Sequence, residues 1–163
     1  MRIVVLAAAT LAAGLATAAQ AAPASVNVVV GPELQAKAER YYGVRDVNEL
    51  ADELRTTVTQ RLAHTGAYDG ARVELVLADA TPNRPTFKQL GDKPGLSEFS
   101  FGVGGARIEG RVVAPDGRVT PVGYSYQATS LADASHAGIW GDADWTIERF
   151  ASELGHGKAL ASR

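Results

Sequence analysis

The chain has 163 residues, with 16 Lys and Arg against 18 Asp and Glu, three His and no cysteine. The missing cysteine excludes a disulfide scaffold, a thiol nucleophile, a thiolate metal site and an iron–sulfur cluster. The near-neutral, slightly acidic balance lacks the basic footprint of a nucleic-acid binder or a polybasic membrane contact.

Residues 1–21 have the pattern of an export signal. Met1-Arg2 gives a positive start, Ile3 to Ala16 is apolar and uncharged, and Ala19-Gln20-Ala21 is a small-x-small cleavage site. The expectation is a cleavable signal peptide cut after Ala21 and a periplasmic or secreted protein. No cysteine follows the cut to carry an acyl anchor. Ile3 to Ala19 is alanine-rich and barely of spanning length, so no membrane span is expected after signal removal. All 18 acidic residues and 15 of the 16 basic ones lie beyond residue 21, which leaves net −3 on residues 22–163. That length suits a single globular domain.

In chain order, Ser25 to Val30 (SVNVVV) is β-branched and nearly continuous, predicting a buried strand stopped by Gly31-Pro32. Residues 33–45 are ambiguous. Asp46-Val47-Asn48-Glu49 matches a capping box, and Val47, Leu50, Ala51, Leu54, Val58 and Leu62 fall on one helical stripe ended by Gly66. Ala71 to Ala78 alternates, with Val73, Leu75 and Leu77 facing one way, and predicts a strand parallel to the first. Thr81 to Pro94 is turn-rich and reads as a mobile excursion.

Phe99, Phe101 and Val103 alternate with polar or small residues, and the alternation resumes on the other parity at Ala106, Ile108, Gly110 and Val112. This predicts one long strand bent at a bulge at Gly104-Gly105. Pro115-Asp116-Gly117 is a hairpin turn. Placing Ala114 opposite Arg118 pairs Val112 with Thr120, Gly110 with Val122, Ile108 with Tyr124 and Ala106 with Tyr126 on a dry face. Arg107, Glu109 and Arg111 then lie on a wet face opposite Ser125, Gly123 and Pro121, with Pro121 on an edge. A last helix runs from Asp142 to Leu154, with Trp145, Ile147, Phe150, Ala151 and Leu154 at core spacing. The sum is an α+β fold, a β-α-β-β-β-α two-layer sandwich with a mixed sheet and two helices on one face.

Chemistry is sparse. No serine sits in a nucleophile elbow. His64, His136 and His156 share no local ligand spacing, so no metal site and no cofactor is expected. Asp142 and Asp144 have the spacing for acid–base work, yet helix N-cap and first-turn roles explain them equally. Gly102-Val103-Gly104-Gly105 lies between strand patterns, which suits a bulge better than a phosphate loop. Tyr124 and Tyr126 fall on the dry face. Trp140, in Gly138-Ile139-Trp140-Gly141, lies outside the periodic elements; it either staples the last helix or lines a groove with the 81–94 loop.

The run Gly104-Gly105-Ala106-Arg107-Ile108-Glu109-Gly110-Arg111-Val112-Val113, then Asp116-Gly117, then Asp142-Ala143-Asp144-Trp145 into Arg149-Phe150-Ala151, resembles a group of small proteobacterial exported domains of unknown function. The resemblance covers about the last 60 residues and brings no catalytic residues. It implies a periplasmic accessory or outer-membrane-associated protein.

The expected function is therefore that of a soluble periplasmic accessory protein, without catalysis, that binds a protein or cell-envelope component. The binding surface would be a sheet edge or the loop-rich end near residues 81–94 and Trp140. The alternatives are a small hydrolase or lyase using Asp142 or Asp144 with His136, and a periplasmic ligand or metal carrier.

Overall fold

The computed structural model describes residues 22–157. The expected signal peptide and the last six residues, 158–163, lie outside the described residues. The elements are β1 (Ser25–Val30), α1 (Pro32–Lys37) running into a π-helical turn (Ala38–Tyr42), α2 (Val44–Thr65), β2 (Arg72–Thr81), α3 (Phe87–Asp92), β3 (Gly105–Val113), β4 (Val119–Gln127) and α4 (Gly141–Gly155). Strand order in the sheet equals chain order, β1-β2-β3-β4. The first pair is parallel and the other two are antiparallel. The fold is thus α+β with a mixed four-stranded sheet.

The core forms between the sheet's inner face and the apolar stripes of α2 and α4. Val47, Leu50, Leu54, Val58 and Leu62 of α2 are buried, as are Ala143, Ile147, Phe150, Ala151 and Leu154 of α4. They meet Val73, Leu75, Leu77, Ile108, Val112 and Val122, with Val26, Val28 and Val30 packed alongside. Each large side chain taken fully from water contributes about 1.5–3 kcal/mol, and this apolar face holds the helices to the sheet. Gly66 closes α2 in the left-handed conformation at φ 69° and donates to Leu62 O at 2.9 Å.

The hairpin register is the one the turn chemistry predicts, with Ile108 opposite Tyr124, Gly110 opposite Val122 and Arg111 opposite Pro121. Pro121 lies on an outer strand, where a missing N–H costs no ladder bond. The same-parity residues of β3 face away from the helices, and there Arg111 Nε donates to Glu74 Oε2 at 2.7 Å while Arg107 lies 3.6 Å from Glu109.

Four sequence expectations are corrected. First, residues 97–103 are not strand. Gly105 already faces Thr81 on one side and Gln127 on the other, where β2 and β4 end, so an earlier stretch of β3 would have no neighbour to bond. Second, the register shift lies in β2, between Leu77 and Asp79, instead of at Gly104-Gly105. The extra residue, Ala78, moves the inward parity of β2 from Leu77 to Ala80. Third, Asp46 does not cap α2. The helix starts earlier, at Val44, because the π-turn delivers the chain to Gly43 at φ 99°. A capping box forms instead on α3, where Thr86 Oγ1 accepts from Gln89 N and Gln89 Oε1 accepts from Thr86 N. Fourth, Trp145 is 47% exposed, with its ring against Tyr126 at 4.7 Å. It sits on the flank of α4 beside β4, outside the buried stripe.

Candidate functional site

At the end of the sheet where β2 stops and β3 starts, the chain between them leaves and returns through one buried knot. Asn83 and Asp142 are 1% and 3% exposed. Asp142 Oδ2 accepts from Asn83 Nδ2 at 2.6 Å and from Gly104 N at 3.0 Å, and Oδ1 accepts from Ser135 N at 2.8 Å. Asp142 N in turn donates to Asn83 Oδ1 at 2.8 Å. Asn83 N donates to Ile139 O at 2.7 Å, and Asn83 O accepts from Gly102 N at 2.7 Å. The knot joins both ends of the 82–104 segment, the 128–140 connection and the first turn of α4. A Cβ on Gly104 would fall 2.4 Å from Asn83 Oδ1, so this close approach requires glycine.

Sequence reasoning placed Asp142 in the first turn of the last helix, where it is found. Its carboxylate, however, satisfies the backbone of two other segments instead of its own helix. All three of its short contacts are donors, so the group is committed to architecture.

Asp144 differs. It stands two residues further along α4, and its carboxyl is pushed up to about 7, first by burial and then by the Glu53 carboxylate of α2. Glu53 is itself raised, by burial and then by Glu148 of α4. His136, the base suggested for these aspartates, is exposed and stacks on Phe101 with ring centroids 4.4 Å apart. Among the described residues no group of three or more His, Asp and Glu converges as a metal site would.

Above the knot, the 82–104 segment is pinned as well as closed. Arg84 reaches Glu98 O at 3.2 Å and His136 O at 3.3 Å, and its guanidinium lies 5.6 Å from the centre of the Phe101 ring. The capped α3 adds Lys88–Asp92 at 2.7 Å. Lys93 Nζ lies over the Tyr41 ring at 5.9 Å, which ties the segment to the π-turn. On this framework Phe87 and Phe99 are each 79% exposed, with Leu96, Tyr41 and Val44 also exposed. A groove of about 290 Å³ between the segment and the π-turn is lined by Tyr42, Arg84, Gln89, Lys93, Leu96 and Phe101 among others.

Trp140 is half-buried and meets Tyr42 edge-on, with centroids 5.9 Å apart. Tyr42 lines the groove and Trp140 supports it from behind. Burial also raises the Tyr42 hydroxyl's pKa. The residues missed in the sequence are Asn83, Arg84 and Tyr42. Thr86-Phe87-Lys88-Gln89 has the capping-box spacing that could have marked local order in this stretch, which the sequence alone suggests is a mobile excursion.

A second concavity, of about 870 Å³, crosses the sheet face opposite the helices. Its lining includes Asn27, Val29, Val76 and Pro121, along with the Glu74–Arg111 pair. The face is therefore charged along β3 and apolar toward β1.

The sequence matches no protein-family model and no curated protein. The site stands on its geometry alone.

Proposed function

We propose that the protein is an exported, periplasmic accessory protein that acts without catalysis, binding a protein or cell-envelope component through its loop-rich end. The observation that carries this reading is the exposure of Phe87 and Phe99 on a segment whose backbone is fixed by buried hydrogen bonds. An exposed phenylalanine on a floppy loop could fold back onto the core. Here the knot, the Arg84 clamp and the α3 cap hold the rings outward. Apolar surface held in water at a standing cost is the signature of an interaction site, and prior ordering lowers the entropy lost on binding. The adjoining groove supplies Tyr42, Lys93 and Arg84 as polar anchors beside the apolar rings. The pattern of residues 1–21 supports export.

The test is photo-crosslinking from position 99 in cells, with and without Phe87→Ser. A discrete adduct that weakens at least tenfold in the variant supports the proposal; no adduct above background from position 87 or 99 removes it.

A second reading, a small carboxylate-dependent hydrolase or lyase, is favoured by the Asp144 carboxyl near 7, a value suited to proton transfer at neutral pH. It requires an activity lost in Asp144→Asn with the fold intact.

A further inference from the structure

The other end of the sheet, where β1 and β2 start and the 114–118 turn joins β3 to β4, carries a carboxylate without a cation. Asp69 is exposed, and no ion pair engages it among the described residues. Its Oδ1 instead accepts from Ala22 N at 3.0 Å. Two backbone bonds fix the same approach: Gly70 N donates to Ala22 O at 3.0 Å, and Ala24 N donates to Ala71 O at 2.8 Å. Pro23, between them, stiffens the stretch, because its ring fixes its own φ and favours extended backbone at the residue before it. Ala22 is thus gripped through both its N and its O, just ahead of β1.

The turn that presents Asp69 has an unusual backbone. Between α2 and β2, Gly66, Tyr68 and Gly70 have φ of 69°, 59° and 66°. Glycine reaches that region freely, whereas a tyrosine is held there against a steric cost. Among the described residues Tyr68 is the only non-glycine with positive φ. Its side chain packs against the core, and its carbonyl accepts from Ala71 N at 3.0 Å. Strain of this kind persists only where the surroundings over-determine it, and it gathers at clamps and switch regions. What this turn holds out is the Asp69 carboxylate, aimed at the nitrogen of Ala22.

That nitrogen is the atom a cut after Ala21 would release. Hydrolysis of the Ala21–Ala22 bond by a signal peptidase consumes one water. The water's oxygen completes the Ala21 carboxylate, and its two protons convert the Ala22 amide N–H into an ammonium. A neutral donor beside Asp69 becomes a cation in the same place, and charge-assisted bonds are the stronger kind.

We propose that Asp69 is the receptor for the N-terminal ammonium of the processed chain, so that removal of residues 1–21 turns one hydrogen bond into an ion pair clasping the start of β1 to the 66–70 turn. The inference rests on the export reading and adds to it a residue whose charge finds its partner only after processing. The neighbouring groups leave the place free. Asp116 and Arg118 pair with each other at 2.8 Å in the hairpin turn, whose Pro115 abuts Gly70. Arg72 heads β2 in an exposed position, and the Tyr68 hydroxyl, its pKa raised by burial, stays neutral.

The test expresses the full-length chain, Asp69→Asn and Asp69→Glu in an exporting bacterial host. The mass of each purified product is read, together with an NMR pH titration of the Ala22 methyl group. A product of residues 22–163 is expected. Its α-amino group is expected to titrate roughly 0.5 above the ordinary range of about 7.7–8.0, because a paired carboxylate favours the charged form and solvent keeps the effect small. Asp69→Asn keeps the acceptor and the shape but not the charge, and is expected to return the titration to that range; Asp69→Glu is expected to hold it above. A correctly cut parent whose titration is not raised, or one whose titration Asp69→Asn leaves unmoved, overturns the clasp and leaves export standing. A product that retains residues 1–21, or that starts at another residue, overturns the clasp together with the cut on which it depends.

Discussion

Asn83 and Asp142, 59 residues apart in sequence, exchange two hydrogen bonds: Asn83 Nδ2 donates to Asp142 Oδ2 at 2.6 Å and Asp142 N donates back to Asn83 Oδ1 at 2.8 Å. The pair fastens the outgoing end of the 82–104 segment to α4, and Gly104 N on the same carboxylate fastens its return.

Truncating that carboxylate strands three donors in a site almost closed to water. Asp142→Ala is expected to destabilise the fold by about 3 kcal/mol, read as a lower urea midpoint with little change in slope. Asp142→Asn restores one acceptor and is expected to cost about 2 kcal/mol. Asn83→Ala combined with Asp142→Ala should cost less than the sum of the two, because both remove the same network. Strict additivity would mean that the two residues act separately.

Gly110 packs against β2 with no room for a side chain. A Cβ there would lie 2.2 Å from Glu74 O and 2.8 Å from Leu75 Cδ2. Gly110→Ala is expected to lower stability by about 2–4 kcal/mol, since the nearest obstacle is backbone in the middle of a ladder. Gly102→Ala is the control. Its nearest neighbour would be 4.0 Å away, and thermal melts should place it within about 0.5 kcal/mol of the parent.

Asp144 makes stability depend on pH. Its carboxyl rises from 3.8 to about 7 in the folded chain, first through burial and then through Glu53. The folded state therefore holds a proton that the unfolded state has released between those values. Asp144's contribution is most favourable below pH ~4 and is lost as pH rises through about 7. The site is partly solvated, so the swing is on the order of 1–2 kcal/mol, less than the full shift would give. Asp144→Asn should remove this part of the pH dependence. Denaturation at pH 4 and pH 8 then gives a variant that gains on the parent at the higher pH, and an unchanged difference would contradict the assignment.

Phe87 and Phe99 bury little in the isolated chain, each being 79% exposed. Phe87→Ser and Phe99→Ser are expected to shift stability by no more than about 0.5 kcal/mol, while Phe87→Ser weakens the adduct formed from position 99 at least tenfold. A loss of several kcal/mol in calorimetry would show that the rings pack intramolecularly.

The elements legible in the sequence were those in which one local signal agreed with its neighbours. The α2 stripe from Val47 to Leu62 and the 114–118 turn each fixed a register without help, and the whole β3–β4 pairing followed from the turn. Residues 97–103 misled because alternation records which side chains are apolar, while a strand also needs an adjacent strand to bond. Trp145 misled because helical spacing ranks it with Ile147 and Phe150 although the helix turns that flank toward the rim. The Asn83–Asp142 knot left no local trace: neither residue is unusual beside its sequence neighbours, and only the folded chain brings them together.

Strand order that follows chain order bears on how the sheet is assembled. The 114–118 turn closes with Ala114 N on Arg118 O at 2.9 Å, so β3 and β4 can zip from a short loop. β2 must close the longer 82–104 segment, and β1 reaches β2 only across the span of α2, with Ser25 opposite Arg72. Loop-closure entropy grows with span, which orders the steps as hairpin, then β2, then β1. The first strand in the chain is thus the last to dock, and until it does the outer edge of β2 is the growing end of the sheet.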